Sequence, residues 1–256
     1  MSIKIDCVSK RYDTGLLALD DISLEIGNHE FVCILGPSGC GKSTLLNIIA
    51  GLDKPSGGKI IVDGNQISGP SNDRVMMFQG PSLFPWLTVF ENIKFGLKLK
   101  KLPKSEQDDI AIKFLKRIKL EEFKDYNVYQ LSGGMQQRVT LARALAIESP
   151  YMLMDEPFSS LDKQTINILR EELELLWRHL KNTIIYVTHS VEEAIFFADR
   201  IVMLSANPGR VKRIFDIKLP RPRKIDDDEV VRLRSTILKE LRYEVELSGE
   251  KEKAVH

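Results

Sequence analysis

Cysteine is scarce in this sequence of 256 residues, and the spacing of the cysteines argues against both a disulfide scaffold and a structural zinc site. Cys7, Cys33 and Cys40 are odd in number and show no paired metal-ligand spacing. A disulfide scaffold needs paired cysteines and a structural zinc site needs closely spaced ligands, so neither is predicted. We expect three reduced thiols, as in a cytosolic protein.

Long apolar runs are also missing, and the net charge is small. No run reaches the roughly 18 apolar residues of a membrane-spanning helix, and the start of the chain lacks the pattern of a secretory signal. The 37 basic and 36 acidic side chains nearly cancel, so the charge does not indicate nucleic acid as the main ligand. We therefore expect no nucleic acid partner, and a membrane role only through a protein partner.

Short runs with strand character recur along the chain, and they fall into two classes by their apolar pattern. The early runs are bounded by Gly, Asn and Pro and predict an antiparallel β region. The later runs are more continuously apolar and alternate with helical patterns, as in a buried parallel sheet. The early runs are Ile22–Ile26, Phe31–Leu35 and Lys59–Asp63; the later ones are Tyr151–Met154, Thr183–Thr188 and Arg200–Leu204.

Helical patterns define the other parts of the chain. The stretch from Thr88 to about Leu120, with Pro103 inside it, interrupts the strand series and begins a helical subdomain over about 88–150. We expect this subdomain to belong to one domain over residues 1–220. After Pro220-Arg-Pro-Arg223, residues 221–256 form a helical tail, with a charged amphipathic helix over 226–247 and a frayed end.

A glycine-rich segment follows an apolar run and precedes an apolar-periodic run that ends at Gly51. The order strand, loop, helix is the context in which this pattern binds nucleoside triphosphate, although an exposed glycine turn is the plain alternative. Lys42 should reach the β- and γ-phosphates, and the Ser43 hydroxyl should ligate Mg²⁺. The expected phosphate-binding residues are Gly36, Pro37, Ser38, Gly39, Cys40, Gly41, Lys42, Ser43 and Thr44.

Two adjacent carboxylates end the apolar run Tyr151–Met154. Asp155 and Glu156 stand where an open α/β sheet places its ligand crevice. Asp155 can hold the Mg²⁺ shell, and Glu156 can polarise the attacking water as a general base. Alone, such a pair often marks only the point where a strand enters a solvated turn. In a chain that also has the glycine-rich loop, the pair predicts hydrolysis of the triphosphate.

A second anion-binding pattern, Leu131-Ser132-Gly133-Gly134, precedes a helical stretch with one apolar face. Ser132 is typical of an N-cap, which is the plain interpretation. A serine hydroxyl and two glycine amides at a helix start also bind phosphate. Because the chain already has one complete triphosphate loop, we interpret this site as serving the nucleotide of a second copy, in a symmetric dimer.

Together these residues resemble the ATPase subunits of ABC transporters, over roughly residues 3–215. The motifs stand in the order of that family: Tyr12, Gly36–Thr44, Gln79, Leu131–Gln137, Asp155–Glu156, Ser159-Ser160-Leu161-Asp162 and His189. The resemblance implies a P-loop ATPase of ABC type, an α/β fold with a mixed sheet core, an antiparallel β region and a helical subdomain. It also implies ATP and Mg²⁺ as cofactors and a homodimer around two Mg-ATP.

The resemblance also implies residue roles. Tyr12 stacks on adenine, Gln79 senses Mg²⁺ and the attacking water, and Ser132 with Gly134 contacts the γ-phosphate bound by the second copy. Asp162 supports the dimer seam.

His189 is given a contact with the γ-phosphate by the same resemblance. It follows the apolar run Thr183–Thr188, so we expect its imidazole beside Asp155 and Glu156 at one sheet edge. The histidines without such a setting are interpreted as structural: His29, His179 and His256.

The segment after Gln79 carries an aromatic cluster, with Phe84 and Trp86 separated by a proline. Apolar side chains in a loop form a plausible docking patch, and in the family this region meets the cytoplasmic coupling helices of the membrane subunits. The alternative is local packing of both rings on the helical subdomain. Gly80 departs from the polar or acidic residue often found there.

Two stretches, Leu83–Val89 and Leu204–Arg210, resemble the nitrate, sulfonate and taurine importer branch. Neither would touch the solute, which a separate solute-binding protein and the membrane subunits would hold, so the branch is an association by resemblance. Related branches carry thiamine precursors or bicarbonate.

The resulting prediction is an ATP-hydrolysing import subunit, bound peripherally to integral permease subunits on the cytoplasmic face of the cell membrane. One alternative is a soluble ABC-type ATPase in DNA repair or translation, which would need a second cassette or coiled-coil arms. Another is a nucleotide-binding module without turnover, which would not need Glu156.

Overall fold

A computed structural model describes residues 2–159, 162–180 and 182–253 of the chain. Ser160, Leu161 and His256 lie outside the described residues, as does the side chain of His179. The chain divides into two compact units, one formed by Met1–Ser71 with Thr183–His256 and the other by Asn72–Asn182.

The described residues form strands and helices in a mixed order. The strands are β1 (Ile3–Arg11), β2 (Leu17–Ile26), β3 (Phe31–Leu35), β4 (Gly57–Val62), β5 (Asn65–Gln66), β6 (Arg74–Met77), β7 (Tyr151–Asp155), β8 (Thr183–Thr188), β9 (Arg200–Leu204) and β10 (Val211–Asp216). The α-helices are α1 (Lys42–Ala50), α2 (Val89–Phe95), α3 (Lys104–Arg117), α4 (Gly133–Ala146), α5 (Lys163–Leu180), α6 (Val191–Phe197) and α7 (Asp228–Lys253). Short 3₁₀ helices cover Gly96–Lys100, Glu121–Phe123 and Val128–Gln130.

The first unit contains an antiparallel sheet and a largely parallel one. The antiparallel sheet has the order β2-β1-β4-β5. In the other sheet, β3 lies between β8 and β9 and pairs in parallel with both, while β10 pairs antiparallel with β9. The assignment of Phe31–Leu35 to the antiparallel region was therefore wrong. All five residues of this strand are buried, and a strand without alternation is typical of a sheet covered on both faces.

The core of the first unit lies along β3 and β8, where helices pack on buried strand residues. Every residue of β8 is buried, and α1 and α6 both contact this part of the sheet. Phe31 stacks on Phe197 of α6 with ring centroids 5.1 Å apart, and Tyr186 lies 5.3 Å from the same ring. This packing fixes α1 and α6, the two helices that follow the glycine loop and His189.

The second unit combines the parallel pair β6 and β7 with a group of helices. Helix α2 packs on α3 and α4, and α4 also contacts α5. Thr88 begins α2 with a capping box, in which its side chain accepts from Glu91 N–H and Glu91 accepts from Thr88 N–H. Pro103, at the N-cap of α3, precedes a helix rather than interrupting one.

The tail helix α7 packs on the rest of the first unit along a narrow stripe. Val230, Ile237 and Glu244 are buried and recur at heptad spacing. Glu244 pairs with Lys212 of β10 at 2.9 Å, which raises the pKa of Lys212 above its ordinary value. A second pair joins Arg213 to Glu240 at 2.6 Å, so ion pairs fix the register of the helix against the sheet edge.

Cys7, Cys33 and Cys40 all lie in the described part of the chain as thiols outside any disulfide. Cys33 lies inside β3, and burial raises the pKa of its thiol well above the ordinary value. In the described part of the chain, no helix is long and apolar enough to cross a membrane.

Candidate nucleotide site

The glycine-rich loop joins the end of β3 to the start of α1, as the sequence pattern predicts. Gly41 is the N-cap of α1 and has a left-handed backbone with φ of 91°. A Cβ atom at Gly41 would lie 2.6 Å from Leu19 Cδ2 and 2.9 Å from the carbonyl oxygen of Ala18. Glycine is therefore required for both the turn and the close approach. The turn leaves the helix N-terminus, with its N–H groups, at the end of the loop, a favourable position for an anion.

The Lys42 side chain folds back over this loop. It is only 6% exposed, and its ammonium donates hydrogen bonds to the carbonyl oxygens of Gly36 and Pro37, each at 2.9 Å. Ser38, Gly39 and Ser43 are exposed around it. The loop thus presents a positive charge held by backbone atoms, together with an accessible hydroxyl at the first turn of α1.

Tyr12 lies beside the same helix. Its hydroxyl forms a hydrogen bond with Thr44 Oγ1 at 3.1 Å, and the Lys10 ammonium lies 5.1 Å from the centroid of its ring. The ring remains 37% exposed. The structure therefore brings Tyr12 to the first turn of α1, with part of an aromatic face available to a planar ligand.

In the second unit, the two carboxylates lie at the end of β7. All five residues of β7 are buried, and Asp155 at its end is 8% exposed. Glu156 follows with a left-handed φ of 43°. A glutamate rarely adopts this conformation, and such strained residues concentrate at functional sites. The backbone thus turns sharply between the two side chains.

Gln79 and the residues after Glu156 approach one another within the second unit. Gln79 Nε2 donates to Ser159 Oγ at 3.4 Å, and Ser159 N–H donates to the Glu156 carbonyl oxygen at 3.2 Å. Gly80, next to Gln79, has φ of 78°, and a Cβ there would meet no atom within 4 Å. Its glycine therefore serves the backbone conformation of the turn rather than close packing.

The Leu131–Gln137 motif forms the start of α4. Ser132 is the N-cap, as predicted, and its hydroxyl accepts from Met135 N–H at 3.3 Å. Ser132 and Gly133 are exposed, and Gly134 is half-buried. These exposed groups at a helix start leave room for an anion.

The family of the chain follows from a direct comparison with known proteins. A family model described as ABC transporter matches residues 19–159. The chain belongs to the ABC transporter family. It is an ATP-binding member with ATPase activity.

Relatives and solved structures agree with this assignment. An uncharacterized ABC transporter ATP-binding protein of Methanocaldococcus jannaschii, MJ0412, is 49% identical over 248 residues, 96% of this chain and 93% of that protein. The nitrate import ATP-binding protein NrtD of Synechocystis sp. is 48% identical over 206 residues, 80% of this chain and 77% of NrtD. A dimeric post-hydrolysis structure of the ATP-binding cassette MJ0796 with ADP and Pi has a TM-score of 0.75, with 35% identity, and covers 85% of this chain and 100% of that one.

Gln137 is one residue of this ABC ATPase whose contact the sequence did not predict. It is 1% exposed, and its Nε2 donates a short hydrogen bond to the carbonyl oxygen of Pro157. This bond ties the helix that begins after Ser132 to the segment after Glu156. A glutamine on the buried side of an amphipathic helix is the signal that could have indicated it.

Asp162 and His189 complete the predicted set. Asp162 is exposed and caps α5, since its Oδ1 accepts from Gln164 N–H at 3.0 Å. His189 is exposed directly after β8, and Ser190 after it caps α6. The expected position of His189 beside Asp155 and Glu156 stays a prediction.

Proposed function

We propose that this ABC ATPase pairs with a second copy around two Mg-ATP and powers solute import through integral permease subunits. It would act peripherally on the cytoplasmic face of the membrane, served by a separate solute-binding protein and without a nucleic acid partner. The observation that carries the transport part is an apolar groove in the second unit, which adjoins the residues after Gln79.

Each predicted site residue has a chemical role in this proposal. Gly36 to Thr44 hold the triphosphate through backbone N–H groups, with Lys42 on the β- and γ-phosphates and the Tyr12 ring on adenine. Glu156 polarises the attacking water. His189 contacts the γ-phosphate.

Mg²⁺ fits the donor set of this chain. The Ser43 hydroxyl, the Gln79 amide oxygen and the Asp155 carboxylate are the oxygen ligands that the ion prefers. When bound, the ion would neutralise charge on the β- and γ-phosphates. Asp155, at the end of a fully buried strand, has a fixed backbone from which to hold it.

The exposed groups at the start of α4 support the dimer. Ser132 and Gly134 at the start of α4 form an anion site in a chain that already has the Lys42 loop, so we assign them to the nucleotide of the second copy. Asp162 would stabilise the dimer interface. The assignment agrees with the dimeric state of the MJ0796 cassette.

Apolar side chains dominate the lining of the groove, as at protein docking surfaces. Its volume is about 400 Å³, and Phe78, Phe84, Phe95, Leu99, Arg143 and Ile147 are among the residues that line it. The Phe84 ring packs on Phe95 at 4.3 Å, and Trp86 packs on Phe84 at 5.4 Å but remains 73% exposed. Phe84 therefore follows the local-packing alternative, while Trp86 is available to a partner.

Arg143 adds a charge to this apolar surface. Its guanidinium donates to the Ser82 carbonyl oxygen at 2.8 Å and lies 5.2 Å from the Phe84 ring centroid. Burial lowers the pKa of the guanidinium from its ordinary value, yet arginine stays charged in proteins. We infer that the docking segment of the permease carries apolar side chains and a carboxylate.

Trp86→Ala tests the docking surface. An exposed tryptophan that becomes buried at an interface commonly contributes about 2 kcal/mol or more, so affinity for the membrane complex should fall about thirtyfold or more. The measurement is the fraction of the chain that sediments with membranes of the source cell. Tyr129→Ala is the matched control, since Tyr129 is 68% exposed in the same unit and does not line the groove, whereas Trp86 packs on Phe84 of the groove lining. Equal membrane recovery of both variants would exclude the groove.

The solute we propose is a small anion of the nitrate, sulfonate or taurine type. This proposal is supported by the sequences of Leu83–Val89 and Leu204–Arg210 and by the similarity to NrtD. A deletion strain should lose uptake of one of these labelled anions and regain it with the wild-type gene but not with a Glu156→Gln copy. Unchanged uptake of all three would remove this solute class and leave the ATPase assignment intact.

A further inference from the structure

The turn that carries His189 is held by one buried carboxylate. Thr188 ends β8 and Ser190 caps α6, so His189 lies between a strand end and a helix start. Glu193 in the first turn of α6 is only 7% exposed. Its Oε2 accepts hydrogen bonds from Thr188 Oγ1 at 2.8 Å and from the Tyr186 hydroxyl at 2.9 Å.

Backbone groups close these contacts into a ring. Ser190 N–H donates to Thr188 Oγ1 at 3.0 Å, and Glu193 N–H donates to Ser190 Oγ at 3.3 Å. The ring therefore runs from Thr188 to Glu193, on to Ser190, and back to Thr188. The two residues that flank His189 are both members of it, while the His189 side chain is exposed.

Helix α6 is itself anchored at both ends. Arg223 is 5% exposed and donates to the carbonyl oxygens of Ile195 and Ala198, each at 2.6 Å, at the end where helix carbonyls lack helical partners. At the other end, Glu192 pairs with Arg234 of α7 at 3.0 Å. The carboxylate of Glu193 is thus attached to a helix that the tail holds at both ends, in addition to its packing on the sheet.

We propose that Glu193 is a positioning residue for ATP hydrolysis: it fixes the Thr188–Ser190 turn and so presents the His189 imidazole to the γ-phosphate. The inference rests on the role proposed above for His189. Glu193 acts through hydrogen bonds to the turn, because its carboxylate is buried and bound to two hydroxyl groups. A misplacement of about 1 Å at a reacting group can reduce the rate about 10²-fold, so the fixed turn has a kinetic consequence.

Three variants separate positioning from general stability. Glu193→Leu removes the acceptor of the ring and Thr188→Val removes its hydroxyl, and each should lower kcat about tenfold or more, towards the limit of about 10²-fold. The dissociation constant for ATP should stay unchanged, because the Lys42 loop is untouched. Tyr186→Phe is the control: it removes the other hydrogen bond to the same oxygen but leaves the ring closed. We expect it to lower the melting temperature without lowering kcat.

The deciding experiment repeats Glu193→Leu in a His189→Ala background. If Glu193 acts through His189, the second change produces no further loss of kcat. The imidazole resonance of His189, assigned by its absence in His189→Ala, should also shift in Glu193→Leu and not in Tyr186→Phe. An additive loss of kcat, or an unshifted resonance, would overturn the proposal. Wild-type hydrolysis by His189→Ala alone would instead refute the role of His189, while the resonance would still report whether Glu193 positions the ring.

Discussion

Glu156→Gln is expected to stop ATP hydrolysis while ATP binding persists. The substitution keeps the shape of the side chain but removes the carboxylate that would take a proton from the attacking water. Loss of a general base lowers rates by about 10²- to 10⁴-fold. Because the Lys42 loop and the Ser132 helix start are intact, both copies should still close on nucleotide. An ATP-bound dimer should therefore accumulate, measurable by size-exclusion chromatography with excess Mg-ATP.

The chain offers a matched control for this variant. Glu148 is exposed, lies in the same unit and has a left-handed φ of 48°, close to the 43° of Glu156. Glu148→Gln makes the same chemical change on a similar backbone, away from the predicted site. It should hydrolyse ATP at the wild-type rate. Comparable turnover by the two variants would remove Glu156 from the role of base.

Ser132→Arg is expected to block hydrolysis without affecting nucleotide binding to the isolated monomer. The bulky side chain would occupy the exposed start of α4, where the γ-phosphate of the second copy is proposed to bind. The Lys42 loop of the same copy is untouched, so the dissociation constant of the monomer for ATP should match that of the wild type. Equilibrium binding at low protein concentration and steady-state hydrolysis at high concentration measure the two effects.

Ser132→Ala separates occlusion from the loss of the helix cap. Both variants lose the bond from Met135 N–H to the serine hydroxyl, which costs about 1 kcal/mol of stability. They should therefore have similar melting temperatures, and the alanine variant should retain much more hydrolysis than the arginine variant. Weakened ATP binding by the Ser132→Arg monomer would contradict the shared-site proposal.

Local chemistry made several parts of the fold predictable. The apolar run of β3, the glycine loop and the apolar period of α1 predicted a strand, loop and helix that the structure places at Phe31–Leu35 and Lys42–Ala50. Gly51 ends that helix, as its position in the pattern indicated. Ser132 caps α4 because its hydroxyl suits that position. Each of these depends on residues close together in the sequence.

Long-range partners were beyond prediction. The parallel pairing of β3 with β8 joins Phe31 to Ile184, and nothing in the short apolar run of β3 identifies that distant neighbour. The hydrogen bonds from Arg223 to backbone carbonyl groups were not predictable either, because the pattern Pro220-Arg-Pro-Arg223 indicates only a domain boundary. The left-handed backbone of Glu156 was equally hidden, since the strain depends on the surrounding structure rather than on the residue type.

The most direct test of the transport proposal is purification of the chain from membranes. A tag at the C-terminus, mild detergent and mass spectrometry would identify the proteins that accompany it. We expect a polytopic membrane protein in stoichiometric amount, with two copies of this chain per complex and with recovery reduced by Trp86→Ala. Recovery of the chain wholly in the soluble fraction, with a cytosolic complex or none, would contradict the transport proposal and leave the ATPase in place.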